Sequence, residues 1–367
     1  MKYYIIAGEA SGDLHASNLM KAIKEQDANA EFRFWGGDLM KSQGGTLVKH
    51  YKELAFMGFV EVLFNLRTIL SNIKLAKKEI ENYRPDVLIL VDYPGFNLRI
   101  APYAKALGIK VVYYISPQLW AWKEGRVDTV KKAVDEMLVI LPFEKDFYKK
   151  HSVNAHFVGH PLLDAVSDLP TVNPEEFKQK HGLDHREIIA LLPGSRQQEV
   201  KKMLDLMLSV RSYFKEYQFV IAGAPSLPPS FYQEYVDNNV HFVSNETYDL
   251  LRVSKAALVT SGTATLETAL LNVPEVVCYK GNKISYEIAK RLIKNIQYIS
   301  LVNLIMDREV VTELIQDELT TKNLVAELNK ILDGAGRERM LKDYELLKEK
   351  LGGIGASKNA AKIIVNQ

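Results

Sequence analysis

Two strand-to-helix junctions in the second half of the chain carry the residue types that hold a phosphate. In Leu192–Glu199, with sequence LPGSRQQE, an apolar run ends in Gly194, Ser195 and Arg196, and a helical pattern containing Glu199 begins. Free backbone N–H groups and the positive helix end favour a diphosphate there, and the Arg196 guanidinium can add bidentate donors. An ordinary loop with a capping serine fits the same residues. In Thr260–Glu267, with sequence TSGTATLE, Ser261, Gly262, Thr263 and Thr265 repeat the pattern, and Glu267 stands one turn further on. A carboxylate at that place can accept two hydrogen bonds from a ribose diol, or can merely complement the helix dipole. Two such junctions in one domain point to a nucleotide diphosphate more strongly than either alone.

The first half offers acid-base chemistry. Gly8-Glu9-Ala10-Ser11-Gly12-Asp13-Leu14-His15 follows an apolar run and is neither a P-loop nor a G-x-G-x-x-G fingerprint, which argues against a kinase or a dehydrogenase. Its small residues permit close ligand approach, and Glu9, Asp13 and His15 are titratable, while Ser11 or Asp13 can cap the helix. Asp92 follows DVLILV. A carboxylate at a strand end can take a proton from an attacking hydroxyl if burial holds its pKa high; a turn cap is the plainer role. Trp120 and Trp122 either wall a cleft or belong to the core. Met57, Phe59, Val60 and Leu63, in FMGFVEVLF, form either an acyl-chain site or packed interior, and the residues alone favour interior. His156 and His160 have metal-like spacing without the glutamate of H-E-x-x-H, and D-x-D is absent, so no metal and no cofactor is expected.

Positioning such groups takes short buried strands alternating with helices. Runs at 3–7, 32–35, 86–91, 110–115 and 136–140 read as parallel strands, and after SDLPTVNPEE they resume at 188–192, 218–223, 240–243, 256–261 and 275–279. The expected architecture is α/β, two Rossmann-like domains with parallel sheets that face one another across a cleft. The expected domains are 1–166, 167–335 and a helical segment 336–367 that packs back on the first domain or on a partner subunit. The 367 residues suit two domains. Forty-seven basic against 45 acidic residues leave a formal charge of +2, too little to indicate nucleic acid. One cysteine, Cys278, fits a reducing cytoplasm. No apolar run reaches the roughly 20 residues that cross a bilayer.

IAGEASGD, FMGFVEVL, VDYPGFN, SPQLWAWK, LPFEKDFY, VGHPLLD, LLPGSRQQEV and SGTATLE occur in an order that resembles the bacterial lipid-A-disaccharide synthases over nearly the whole chain. The resemblance implies a GT-B fold and an inverting, metal-independent glycosyltransferase. Its substrates would be UDP-2,3-diacylglucosamine and 2,3-diacylglucosamine 1-phosphate (lipid X), and its products the β-1,6-linked disaccharide phosphate and UDP. It implies Asp92 as catalytic base, with His15 and Glu9 the other candidates. Gly194, Ser195, Arg196, Glu199, Ser261, Gly262, Thr263, Thr265, Glu267 and Asn303 would bind the donor. Ser11, Met57, Phe59, Val60, Leu63, Trp120 and Trp122 would meet the acceptor and its acyl chains. The chain departs from the family pattern at Gly95, Lys123 and Val302, where some members carry aspartate, arginine and proline. A UDP-sugar 2-epimerase on the same architecture and a non-catalytic nucleotide-sugar or lipid-binding protein are the competing readings. Weak peripheral contact with anionic membrane through RTILSNIKLAKK (67–78), and a homodimer through the C-terminal helices, complete the expectations.

Overall fold

Largely hydrophobic runs of three to seven residues, too short for helices and rich in Val, Ile and Tyr, form the two parallel sheets around which the chain is built. The computed structural model describes residues 1–54, 66–121, 124–281 and 297–366. Met57, Phe59, Val60, Leu63, Trp122 and Lys123 lie outside the described residues. The chain divides into two compact units, Met1–Ala165 with Leu351–Gln367, and Val166–Lys350. The helix Gly334–Lys350 therefore belongs to the second unit, and only the residues after it return to the first.

In the first unit seven strands run in parallel: β1 (Lys2–Ala7), β2 (Glu31–Gly36), β3 (Thr46–His50), β4 (Val87–Val91), β5 (Lys110–Tyr114), β6 (Glu136–Val139) and β7 (Ala155–Phe157). Their order is β3-β2-β1-β4-β5-β6-β7. Side chains alternate across the sheet, so Tyr4, Ile6, Leu88 and Leu90 enter one core, while Tyr3, Ile5, Val87 and Ile89 enter the other. Helix Ala356–Val365 closes the second of these cores with Ala360, Ala361 and Ile364, and packs on helix Ala10–Gln26. Its apolar face is thus occupied within its own unit.

The second unit has a six-stranded parallel sheet: β8 (Glu187–Leu192), β9 (Tyr217–Gly223), β10 (Val240–Ser244), β11 (Ser254–Thr260), β12 (Glu275–Tyr279) and β13 (Thr312–Ile315). The order is β10-β9-β8-β11-β12-β13. Both sheets reverse their winding once, between β1 and β4 and between β8 and β11. Ligands of open parallel sheets bind beyond the strand ends at such reversals. Register carries Asp92 and Gly8 to the first, because Val91 pairs with Ala7. Pro193 and Thr260 reach the second, because Leu192 pairs with Val259.

Candidate functional site

At the end of β4 the backbone turns left-handed at two successive non-glycine residues, Asp92 (φ 43°) and Tyr93 (φ 49°). Each such residue costs about 1–3 kcal/mol and persists only where its surroundings impose the conformation. Here they do. The Asp92 carbonyl accepts from Asn97 Nδ2 at 2.7 Å and from the Tyr113 hydroxyl at 2.6 Å, while its N–H donates to the Tyr114 carbonyl at 3.1 Å. Gly8 makes room for the Tyr93 ring, since a Cβ there would lie 2.4 Å from it. The Asp92 carboxyl is left half-buried with no ion pair among the described residues. Burial, then the negative charge of nearby Glu9, push its pKa up to about 6, partly offset by a backbone hydrogen bond from Tyr93.

Glu9 is the exposed N-cap residue of helix Ala10–Gln26, and Ser11 is exposed in the first turn. Asp13 is a structural anchor: buried, its carboxylate accepts from the N–H groups of Gly37, Leu39 and Met40. His15 keeps different company from Asp92. Its titratable neighbours are Asp164 and His160, and burial lowers its pKa to about 4. Its Nδ1 is buried without a hydrogen-bond partner. Buried His160, whose pKa falls to about 3 through burial and the facing His15, has its Nδ1 accepting from Leu162 N–H at 3.2 Å. Two neutral imidazoles beside the returning C-terminal segment are poor bases for the chemistry at Asp92. His156 pairs with Glu136 at 3.0 Å, and among the described residues no three His, Cys, Asp or Glu side chains are grouped to hold a metal.

The loop after β5 carries Trp120, half-buried and edge-on to Phe143 at 4.8 Å. Beneath it is Glu144, 1% exposed, whose Oε2 accepts from Leu141 N–H at 3.0 Å and Ile140 N–H at 3.3 Å. Burial raises the Glu144 pKa to about 7, against the lowering effect of those N–H groups and of the Ser116 and Trp120 side chains. The Trp120 indole Nε1 forms no hydrogen bond of full geometry, yet lies close enough to influence that carboxyl. The Ser116 and Tyr148 hydroxyls are 2.8 Å apart. Glu144 caps the start of its own helix, Pro142–Lys150, and supports the Trp120 loop, a role that sequence reasoning missed because Ser116 and Trp120 come from another loop.

In the second unit Gly194 (φ 103°) turns the chain out of β8, and a Cβ there would meet the Glu199 carboxylate at 2.4 Å. Glu199 folds back and accepts from Ser195 N–H at 3.3 Å, while the Ser226 hydroxyl holds the Ser195 carbonyl at 2.7 Å. Arg196, exposed at the N-cap of helix Gln197–Leu208, has no acidic partner among the described residues. The first-turn N–H groups and this guanidinium make a candidate anion-binding corner.

Across the sheet reversal, Gly262 and Thr263 are exposed at the start of helix Thr263–Leu270. The hydroxyls beside them are already engaged. Ser261 Oγ donates to the Ile299 carbonyl at 3.1 Å, and fully buried Thr265 donates to the Gly262 carbonyl at 2.9 Å. Thr265 therefore braces the turn and presents no hydroxyl outward. Asn303 is also turned inward: fully buried, it donates to Val311 O and Glu313 Oε1 and accepts from the N–H groups of Val310 and Val311. With its amide satisfied on both sides, it fastens helix Leu301–Met306 to β13. Glu267 is half-buried, its pKa raised by burial and eased by the Tyr248 hydroxyl, which donates to its Oε1 at 2.8 Å. Tyr248 was not evident in the sequence, because its partner lies 19 residues away.

Two parallel-sheet α/β units, each with a single reversal of its strand order, define the fold class, which is of the GT-B kind. Solved structures share that fold. The UDP-GlcNAc 2-epimerase of Methanocaldococcus jannaschii, in complex with UDP-GlcNAc and UDP, aligns with a TM-score of 0.69 at 12% identity over 100% of both chains. The glycotransferase of kitacinnamycin aligns with a TM-score of 0.67 at 13% identity over 100% of this chain and 98% of its own. At such identities they establish the fold alone. Sequence separates transferase from epimerase. The profile of the lipid-A-disaccharide synthetase family matches residues 3–365. The lipid-A-disaccharide synthase of Geobacter metallireducens is 39% identical over 98% of this chain and 96% of its own length. That of Syntrophus aciditrophicus is 40% identical over 97% and 95%. The chain belongs to the lipid-A-disaccharide synthase family, glycosyltransferases that form the lipid A disaccharide, and the epimerase alternative is not favoured.

Proposed function

We propose that the protein joins UDP-2,3-diacylglucosamine to 2,3-diacylglucosamine 1-phosphate, with Asp92 removing the proton of the acceptor 6-hydroxyl as that oxygen attacks the anomeric carbon. The new C–O bond forms opposite the bond to the diphosphate, which leaves as UDP, so the configuration inverts. The observation that carries this reading is the carboxyl of Asp92, half-buried without an ion pair among the described residues and held by a strained strand end with its pKa raised toward neutrality. Negative charge growing on the diphosphate would be met by Arg196, the N–H groups opening helix Gln197–Leu208, and Gly262 and Thr263. Glu267 would accept from the ribose. Glu9 and Ser11 would border the acceptor beside Trp120.

The donor half is tested by titrating UDP into Arg196→Ala. Loss of a charge-assisted contact should weaken binding by roughly tenfold or more. Unchanged affinity would remove Arg196 from the site.

Contact with an anionic membrane is part of the same proposal. Helix Leu66–Tyr83 exposes Leu70 (55%) and Leu75 (37%) beside exposed Arg67, Lys74 and Lys78, with no acidic residue between 67 and 78. Apolar side chains interleaved with cations suit a headgroup surface.

A further inference from the structure

Glu267 has a fixed neighbour that the proposed reaction does not use. Tyr248 is the second residue of the short helix Thr247–Arg252, and its hydroxyl donates to Glu267 Oε1 at 2.8 Å. Burial and the facing carboxylate raise the Tyr248 pKa, so this hydroxyl remains a donor at any physiological pH. Among the described residues no lysine or arginine pairs with Glu267.

The helix that carries Tyr248 is secured at both ends. Glu246, its N-cap residue, pairs with Lys180 at 2.7 Å and His181 at 3.2 Å. Arg252, its last residue, donates to the carbonyls of Val166, Leu169 and Pro170. On a helix anchored in this way, the Tyr248 hydroxyl is held against Oε1 of Glu267. It fixes which oxygen is engaged.

We propose that Tyr248 is a positioning residue for nucleotide recognition: by occupying Oε1 of Glu267 it orients Oε2 toward a ribose hydroxyl of the bound nucleoside diphosphate, and so enforces selection of ribose over deoxyribose. The proposal rests on the reading of Glu267 as the ribose acceptor and deepens it. A carboxylate with one oxygen tied down has one strong acceptor site for sugar, where the sequence alone allowed two. A site built around a directed hydrogen bond rejects a ligand that lacks the matching hydroxyl, because the fixed acceptor then stays unpaired. A carboxylate free to rotate can turn to solvent and loses that discrimination.

The test is titration calorimetry with UDP, 2′-deoxy-UDP and 3′-deoxy-UDP on the full chain, comparing wild type with Tyr248→Phe, which keeps the ring and removes the donor. Wild type should prefer UDP to at least one deoxy analogue by roughly tenfold. Tyr248→Phe should bind UDP roughly three- to tenfold more weakly, with little change for that analogue, so the preference collapses. A purely structural role would weaken all three ligands alike and keep the ratio. Tyr248→Phe with the wild-type ratio overturns the role of Tyr248 and leaves that of Glu267 standing. Wild type with no preference between UDP and either analogue overturns the ribose reading of Glu267, and this proposal with it. Glu267→Gln provides a second arm: Tyr248→Phe should change the ratio no further in that background, and an additional independent loss would count against coupling between the two side chains.

Discussion

Asp92 gains its proton affinity from two neighbours of different kinds, an apolar strand end that desolvates it and the acidic side chain of Glu9. A base must be deprotonated to act, and its pKa is raised to about 6, so activity should fall as pH drops through about 6. Glu9→Gln removes the negative charge while leaving the burial, and should move that acidic limb to lower pH. Rate profiles of kcat/KM from pH 5 to 8 check this, and an unmoved limb would separate Glu9 from the base. The place of Asp92 at a strand end was legible in the sequence because a carboxylate directly follows a buried apolar run. The inward turn of Ser261, Thr265 and Asn303 was not, because a hydroxyl or amide reveals its direction only with its partners. Those partners are the carbonyls of Ile299 and Gly262 and the Val310–Val311 turn.

Among the elements, the ten strands of continuous apolar character were readable, whereas β3, β7 and β13 were not. These three lie at sheet edges, where one side lacks a partner strand, and THR-LEU-VAL-LYS-HIS in β3 keeps polar residues that a central strand would not. Central β12 contains the opposite anomaly. Its first residue, Glu275, is fully buried, neither carboxylate oxygen has a hydrogen-bond partner among the described residues, and burial followed by the charge of Glu313 raises its pKa far above the ordinary value. The folded state then holds a proton that the unfolded chain releases above about pH 4.3, so this residue lowers stability as pH rises above that value. Glu275→Met, similar in volume and apolar, should stabilise the second unit by roughly 1–3 kcal/mol and more at pH 8 than at pH 5. Thermal melts at the two pH values measure it, and an equal or negative effect would show that the carboxyl is satisfied.

At the scale of the whole molecule, each unit carries its candidate residues at the single reversal of its own sheet, the proposed base Asp92 at β1/β4 and the proposed anion corner at β8/β11. That plan was legible from alternating runs and loop composition. The division near residue 350 was not, because helix Gly334–Lys350 and helix Ala356–Val365 read as one amphipathic tail until their packing assigns them to different units. No helix among the described residues is long and apolar enough to cross a membrane. Contact through Leu66–Tyr83 should therefore appear as binding to anionic but not neutral vesicles, weakened by salt and by Lys74→Glu with Lys78→Glu. Sedimentation with vesicles of each type decides it, and salt-independent binding would contradict it. The central claim, sugar transfer promoted by Asp92, is tested most directly by supplying the two diacylated glucosamine substrates and following UDP and disaccharide together. Wild type should release one UDP for each disaccharide formed. Asp92→Asn should bind UDP normally and turn over about a hundredfold more slowly or worse. Near-normal turnover by Asp92→Asn, or UDP-sugar consumption without disaccharide, would contradict the account.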